Sequence, residues 1–352
     1  MSHKKVSDTY KSLPYKEEIM KSGHKGIILL GLVLALPLAS TALAQDQYPS
    51  KPINVVVGYP PGGIMDIQVR SAIPRLSKEL GQNAVMVNKP GAGSTLAVNY
   101  VAKSRPDGYT IMNVGFIGVV SAPYMYHIDW GVEDFTYFIG HSTFNFAICV
   151  RADAPWKTFQ EWVEHVQKNP GFKYGTYGQL TPVHVFIEWM GKQLGLKLVH
   201  IPYTGGAPGL TALMGGHIDI YGSAGSHVPY IKQGKLRTLL EIKGKIPDPA
   251  GVKVQTVSEI FKNAPLDIID LPIGYLGPKN LPSAIRTKLT DAIKKSTTDN
   301  PEFIKANEMI NVDVEYMSPE DVLKSVKKGY ASFGTLLKEL NLVKEIKKEK
   351  VQ

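Results

Sequence analysis

The 352-residue sequence holds a single cysteine, Cys149, so no disulfide framework can staple the chain. No Cys or His cluster has metal-ligand spacing, and no metal or cofactor is expected. No Gly-Lys-Ser/Thr phosphate loop is present, and "GAGSTL" lacks the third glycine of a dinucleotide fingerprint. Neither Ser94 nor Ser223, both in glycine-rich text, forms the Gly-x-Ser-x-Gly of a nucleophile elbow. There is no internal repeat or low-complexity tract. The lysines are dispersed, which argues against a nucleic-acid groove, and the basic tail from Lys344, "KEIKKEK", reads as a solvated helix end.

What is present is a globular composition, 43% hydrophobic and 20% charged, in a chain long enough for two lobes. Residues 27–39, "IILLGLVLALPLA", are apolar but broken by Pro37, and fall short of the about 20 residues that span a bilayer. Lys21 and Lys25 precede this run and Ala42-Leu43-Ala44 follows it, the three parts of a secretory signal. Cleavage after Ala44 is therefore expected, with Met20 an alternative initiator to Met1. The leader carries six Lys and three acids, so removing it lowers the net charge from +9 to +6. A modest positive balance favours anionic ligands without specifying one.

Beyond the leader, short β-rich runs alternate with helical ones. "INVVV", "AVMVN" and "YTIMNV" are separated by the helical spacing of Ile67, Ile73, Leu76 and Leu80 and by a small helix from Ser94. That order implies parallel strands with right-handed crossovers. Pro74 falls inside the first helix, where it is expected to kink or interrupt it. A second series runs from "FNFAICV", which makes Cys149 a small buried hydrophobe, through the helix of Phe159, Trp162, Val163 and Val166. It continues with "FKYGTY", a helix from Pro182 to Leu194, "KLVHIPY", "IDIYGSA" and "LRTLLEI". Residues 244–256 read as a loop, and "LDIIDLPIGYLG" as a long extended run before helices from Ser283 and Pro319.

Ligands of parallel sheets sit beyond the carboxyl ends of strands, where free helix-start amides and the macrodipole attract anions. "GYPPGGIMD" follows "INVVV". Gly62 and Gly63 expose backbone there, Asp66 can cap the first turn, and Arg70 lies four residues on, in ion-pair reach. "NKPGAGST" repeats the device one unit later, with Gly91 and Gly93 around Ala92 and with Ser94 and Thr95 as caps. Two such loops on neighbouring strands can face one carboxylate. Phe116 is a further pocket candidate because it follows a strand's carboxyl end. Tyr124, Tyr126, Phe144 and Phe146 read as core or rim, and His184 and His227 as structural rather than as bases.

Several stretches, "YPSKPINVVVGYPPGGIMDIQVR", "VNKPGAGSTLAVNYVAKSRPDGYTIM", "HIPYTGGAPGLTALMGGHIDI" and "IKQGKLRTL", resemble the solute-binding proteins of tripartite tricarboxylate transporters, the Bug family, over nearly the whole mature chain. The resemblance implies an α/β, two-lobed periplasmic-binding-protein-like fold (type II) with mixed, mostly parallel sheets, joined by two crossing segments. It divides the chain into signal peptide 1–44, lobe one 45–145 and 269–352, and lobe two 146–268. It implies no catalysis but capture of a small organic carboxylate, delivered to the permease subunits of such a transporter. A monomer is expected. The ligand positions carried over are Pro61, Gly62, Gly63 and Asp66, then Gly91, Ala92, Gly93 and Ser94. In lobe two they are Thr176, Tyr177, Gly178, Thr181 and His184, then Tyr203, Gly205, Gly206 and Ala207, and Ser223. The chain departs from the family pattern at Leu180, where glycine is usual, at Tyr177, where serine is common, and at Thr204, a frequent lysine. Ser223 stands where an aspartate often does, which favours a plain carboxylate over an amino acid. An exported hydrolase or lyase on the same scaffold, and a sensory receptor for a membrane kinase, remain open alternatives.

Overall fold

A computed structural model describes residues 48–244 and 253–342, and the backbone of residues 349–350. The expected leader and most of the 244–256 loop lie outside the described residues. The chain divides into Met1–Gln47 and the compact unit Tyr48–Gln352.

The strands of the second unit are β1 (Ile53–Val57), β2 (Ala84–Asn88), β3 (Thr110–Gly115), β4 (Tyr126–His127), β5 (Phe135–Thr143), β6 (Phe146–Arg151), β7 (Phe172–Thr176), β8 (Leu198–Pro202), β9 (Ile220–Ala224), β10 (Leu236–Lys243), β11 (Ile273–Pro278), β12 (Asp313–Met317) and β13 (Glu349–Lys350). A six-stranded sheet has the order β12-β5-β11-β3-β1-β2, and a five-stranded one β10-β6-β9-β7-β8. In the first, β1 pairs parallel with β2 and β3, whereas β11 runs antiparallel between β3 and β5. In the second, β7 pairs parallel with β8 and β9, and β6 runs antiparallel to β9 and β10. Each sheet is the centre of one lobe of a two-lobed, mixed α/β fold. Only Phe144 and Asn145 separate β5 of the first sheet from β6 of the second.

The helices are α1 (Ile64–Leu80), α2 (Thr95–Ala102), α3 (Ile117–Met125), α4 (Phe159–Lys168), α5 (Pro182–Leu194), α6 (Gly206–Met214), α7 (Val228–Lys232), α8 (Val257–Ile260), α9 (Ser283–Ser296), α10 (Pro301–Met309) and α11 (Pro319–Glu339). The central strand β1 is flanked on both faces, so its apolar residues Ile53, Val55, Val56 and Val57 are all fully buried and only Asn54 is half-buried. In α4 the expected stripe of Phe159, Trp162, Val163 and Val166 is buried, and the Thr158 hydroxyl caps the helix by accepting from Glu161 N–H. Cys149 is fully buried in β6, donates its thiol to Tyr221 O at 3.3 Å, and has its pKa pushed up by burial.

Two expectations are corrected. Of the two outcomes expected at Pro74, interruption does not occur: α1 continues to Leu80 and ends at Gly81 in the left-handed region. Both Pro74 and Arg70, whose carbonyl the ring releases, are exposed, so water can replace the missing bond. The stretch before Pro272 is not extended. Leu266–Ile268 form a turn of 3₁₀ helix, and β11 starts only at Ile273. Asp267 reaches Lys328 on α11 at 2.8 Å and Asp270 reaches Lys243 on β10 at 2.8 Å. Ile268 and Ile269 fill the core between these anchors. Among the described residues no helix is long and apolar enough to cross a membrane.

Candidate functional site

The first glycine loop leaves the carboxyl end of β1. Pro61, Gly62 and Gly63 are exposed, Gly62 has φ +85°, and Gly63 opens α1 in an extended conformation. Helix geometry leaves the amides of this first turn without intrahelical acceptors. Asp66 is buried and faces inward, as a brace for the loop. Its Oδ2 accepts from Gly62 N–H at 3.0 Å and from Arg70 Nε at 2.8 Å, and its Oδ1 accepts from Asn88 Nδ2 at 3.2 Å. The same Asn88 amide donates to Tyr59 O at 3.0 Å, tying β2 to the loop. Burial alone would raise the Asp66 pKa, but the bonds from Arg70, Gly62 and Asn88 outweigh it and hold the carboxyl below its ordinary value.

The second loop makes an unusual turn. Gly91, Ala92, Gly93 and Ser94 have φ of +137°, +47°, +60° and +77°. The non-glycine residues Ala92 and Ser94 each cost about 1–2 kcal/mol in the left-handed region. A run of left-handed residues at a helix entrance can turn successive N–H groups toward one point, which suits an anion. Ser94 precedes α2, is 1% exposed, and its Oγ lies beside the Tyr59 phenol with no hydrogen bond of ordinary geometry among the described residues. Glycine makes room for it on both sides. A Cβ on Gly58 would stand 2.5 Å from Ser94 Cβ, and one on Gly118 2.5 Å from Ser94 Oγ. Loops one and two are thus packed against each other, and the Ser94 hydroxyl is the partly offsetting polar neighbour of the buried Tyr59 phenol.

In lobe two the β7–α5 loop is held by neutral groups. Thr176 Oγ1 and Thr181 Oγ1 both donate to Gly178 O, at 2.8 and 3.0 Å. Leu180 adopts φ +48° at the position where the resemblance expects glycine, and its N–H donates to His184 Nδ1 at 3.0 Å. The His184 ring stacks on His200 at 3.8 Å between centroids, and His200 Nε2 meets Thr176 Oγ1 at 2.7 Å. Burial lowers the pKa of His184 to about 2 and of His200 to about 4, so both are neutral at pH 7. At the next loop, Gly205 has φ +143°, Tyr203 lies half-buried, and a Cβ on Gly206 would stand 2.6 Å from Ser226 Oγ. Ser223 is fully buried at the end of β9 and its Oγ meets Ser226 Oγ at 3.2 Å.

The lobes meet at these loops. Tyr177 has its pKa raised by burial and by the phenols of Tyr59 and Tyr221, with the Thr181 hydroxyl opposing, so Tyr59 of loop one and Tyr177 of lobe two are neighbours. A Cβ on Gly225 would lie 3.7 Å from Ile64 Cδ1 at the start of α1, and 3.8 and 3.9 Å from the carbonyls of Asn311 and Asn145. At the crossing, Asn145 Nδ2 donates to Asn311 O at 2.8 Å, and any side chain at Gly244 would overlap Asn145. The structure therefore sets Ser94 against Gly58 of loop one, Tyr177 near Tyr59, and Gly225 against Ile64, with Gly206 and Ser223 tied to this last segment through Ser226. Phe116 is fully buried within lobe one, edge-on to Tyr137 at 5.4 Å, and His184 is inside lobe two. Sequence reasoning passed over Tyr59 and Asn88. An aromatic at the carboxyl end of β1 and an asparagine at that of β2 were the available signals.

A profile described as the tripartite tricarboxylate transporter family receptor, TctC, matches residues 68–342, beginning just after loop one. A Cupriavidus necator protein named "UPF0065 protein in gbd 5'region" is 33% identical over 322 residues, covering 91% of this chain and 96% of that one. A structure described as a periplasmic transporter is 30% identical with a TM-score of 0.72, covering 85% of this chain and 99% of its own. The periplasmic binding protein BugD is 25% identical with a TM-score of 0.72, covering 86% and 100%. The family is thus described as one of receptors, and the two solved structures as a periplasmic transporter and a periplasmic binding protein. The chain belongs to the tripartite tricarboxylate transporter receptor family.

Proposed function

From that membership we propose that the chain is exported through a cleaved leader, captures a small organic carboxylate between its lobes, and presents it to the permease subunits of a tripartite tricarboxylate-type transporter. Residues 45–145 and 269–352 form lobe one in this reading, residues 146–268 form lobe two, and the receptor acts as a monomer. The observation that carries the reading is the left-handed turn at Gly91–Ser94, which packs the buried Ser94 against Gly58 of loop one with its hydroxyl beside the Tyr59 phenol. A carboxylate there accepts from Ser94 Oγ and from loop amides. It gains the orientation of an ion pair without the cost of burying several charges.

Tyr59, Tyr177 and Thr181 complete the site as the lobes swing about the Phe144–Asn145 crossing. Closure follows binding because these contacts exist only in the closed form. A hydrolase needs an accessible nucleophile and base. The contact of Ser142 Oγ with His141 Nδ1 at 3.0 Å is fully buried, and Ser223 Oγ is engaged with Ser226. Thermal denaturation against a panel of carboxylic acids tests the proposal. A ligand at a hundredfold excess over Kd stabilises by about 2.7 kcal/mol, and its NMR spectrum stays unchanged on incubation. A flat panel, or consumption of the acid, overturns the reading.

A further inference from the structure

His227 follows Ser226 at the start of α7, is completely buried, and has no hydrogen-bond partner at either Nδ1 or Nε2 among the described residues. A neutral imidazole carries one donor and one acceptor. Leaving both unmade in a dry interior costs about 1–3 kcal/mol for each group. Water or a ligand must therefore supply what the chain does not. The place is informative. The segment from Ser223 to His227 touches three parts of the candidate site: the β8–α6 loop through Gly206 and Ser226, loop one through Gly225 and Ile64, and the crossing through the carbonyls of Asn145 and Asn311.

We propose that His227 sets ligand specificity by meeting the end of the bound acid that enters lobe two, and that this end carries an uncharged hydrogen-bonding group such as a hydroxyl. This assignment rests on the carboxylate-receptor reading and deepens it. A hydroxyl can accept from the imidazole N–H or donate to its bare nitrogen, with a water completing the other side. A second carboxylate fits poorly. The lobe-two loops at 176–181, 203–207 and 223–227 hold no lysine or arginine. Burial also keeps His227 neutral by lowering its pKa to about 3, so that no cation answers a second anion.

The test uses two matched sets of acids: butyrate, 4-hydroxybutyrate and succinate; and benzoate, 4-hydroxybenzoate and terephthalate. Calorimetry on the mature protein is expected to give at least tenfold tighter binding of the hydroxy acid than of its two relatives in one set. His227→Leu narrows that preference to about twofold, because a site built to pair a hydroxyl discriminates through its own unpaired groups. The ligand-free Tm of this variant stays level or rises, since an unsatisfied polar group has been removed. A purely structural histidine would give the opposite pattern, a lower Tm and an unchanged preference, and that result overturns the assignment. His227→Gln keeps one donor and one acceptor and is expected to retain part of the preference. Should the leucine variant fail to fold, an unaltered preference in the glutamine variant overturns the proposal. Plain acids binding as tightly as hydroxy acids overturn it too, while leaving the receptor reading intact. No binding by any of the six acids to the unmodified protein overturns both.

Discussion

Lobe one and lobe two both build a loop at the carboxyl end of a parallel strand, but they hold it by different chemistry. In lobe one a buried carboxylate, Asp66, gathers Gly62 N–H, Arg70 and Asn88. In lobe two the loop rests on hydroxyls and on two stacked, neutral imidazoles, His184 and His200. The difference teaches that acid should act on the two halves unequally. The Asp66 carboxyl titrates below the ordinary carboxylate range, so its contribution is present above the unfolded value of about 3.9 and is lost only as pH falls through the depressed folded value. The histidines work the other way. The unfolded chain takes up their protons near pH 6.5 while the folded chain resists, so stability drains away as pH falls from there toward the folded values.

The strongest way to sharpen this comparison is to remove each loop's openness in turn. Gly63→Val places a side chain where the nearest foreign atom is Pro60 O at 3.8 Å. It should lower ligand affinity by at least about a hundredfold, the few kcal/mol that a displaced set of ligand contacts is worth, with Tm unchanged. Gly93→Val should lose affinity equally but also lose Tm, because a β-branched residue is forced to φ +60°. Calorimetry and thermal melts read both.

The next largest effect is the acid response. Between pH 6.5 and the folded values of about 4 for His200, 3 for His227 and 2 for His184, each histidine can withdraw at most about 1.4 kcal/mol per pH unit. His200→Gln is expected to flatten the slope of stability against pH, measured by urea denaturation, and an unchanged slope would break the contrast between lobes. Smaller again is Asp66→Asn. It keeps one acceptor but loses the ion pair and one donor's match, costing about 1–2 kcal/mol and leaving the slope between pH 5 and 6.5 as it was. Arg70→Ala, on an exposed partner, should move Tm least of all.

The same comparison marks where the sequence could be read and where it could not. Strand β1, the bounds of α5, the stripe of α4 and the burial of Cys149 follow from local periodicity, and so does the Asp66–Arg70 pair, four residues apart on one helix. Pro74 misleads because its tolerance depends on which side of α1 meets water. The 266–271 stretch misleads because its direction is set by Lys328 and Lys243, far away in sequence. The glycine loops are legible as loops. That His227 ends up buried without a partner among the described residues is not, since orphaned atoms are made by the packing of segments that no spacing rule connects. Leu180 is an intermediate case. Its left-handed backbone is invisible in its own side chain, and only the glycine usual at that place in the resembling family hints at it.

Cys149 has a practical consequence. Its thiol is wholly enclosed, hydrogen-bonded to Tyr221 O and resistant to ionisation, so a maleimide reagent has nothing native to attack while the fold holds. A thiol introduced at an exposed rim position such as Pro61 would therefore take a fluorophore alone. Without any need to delete the native residue, the molecule could then report the concentration of whatever it captures as a change in light.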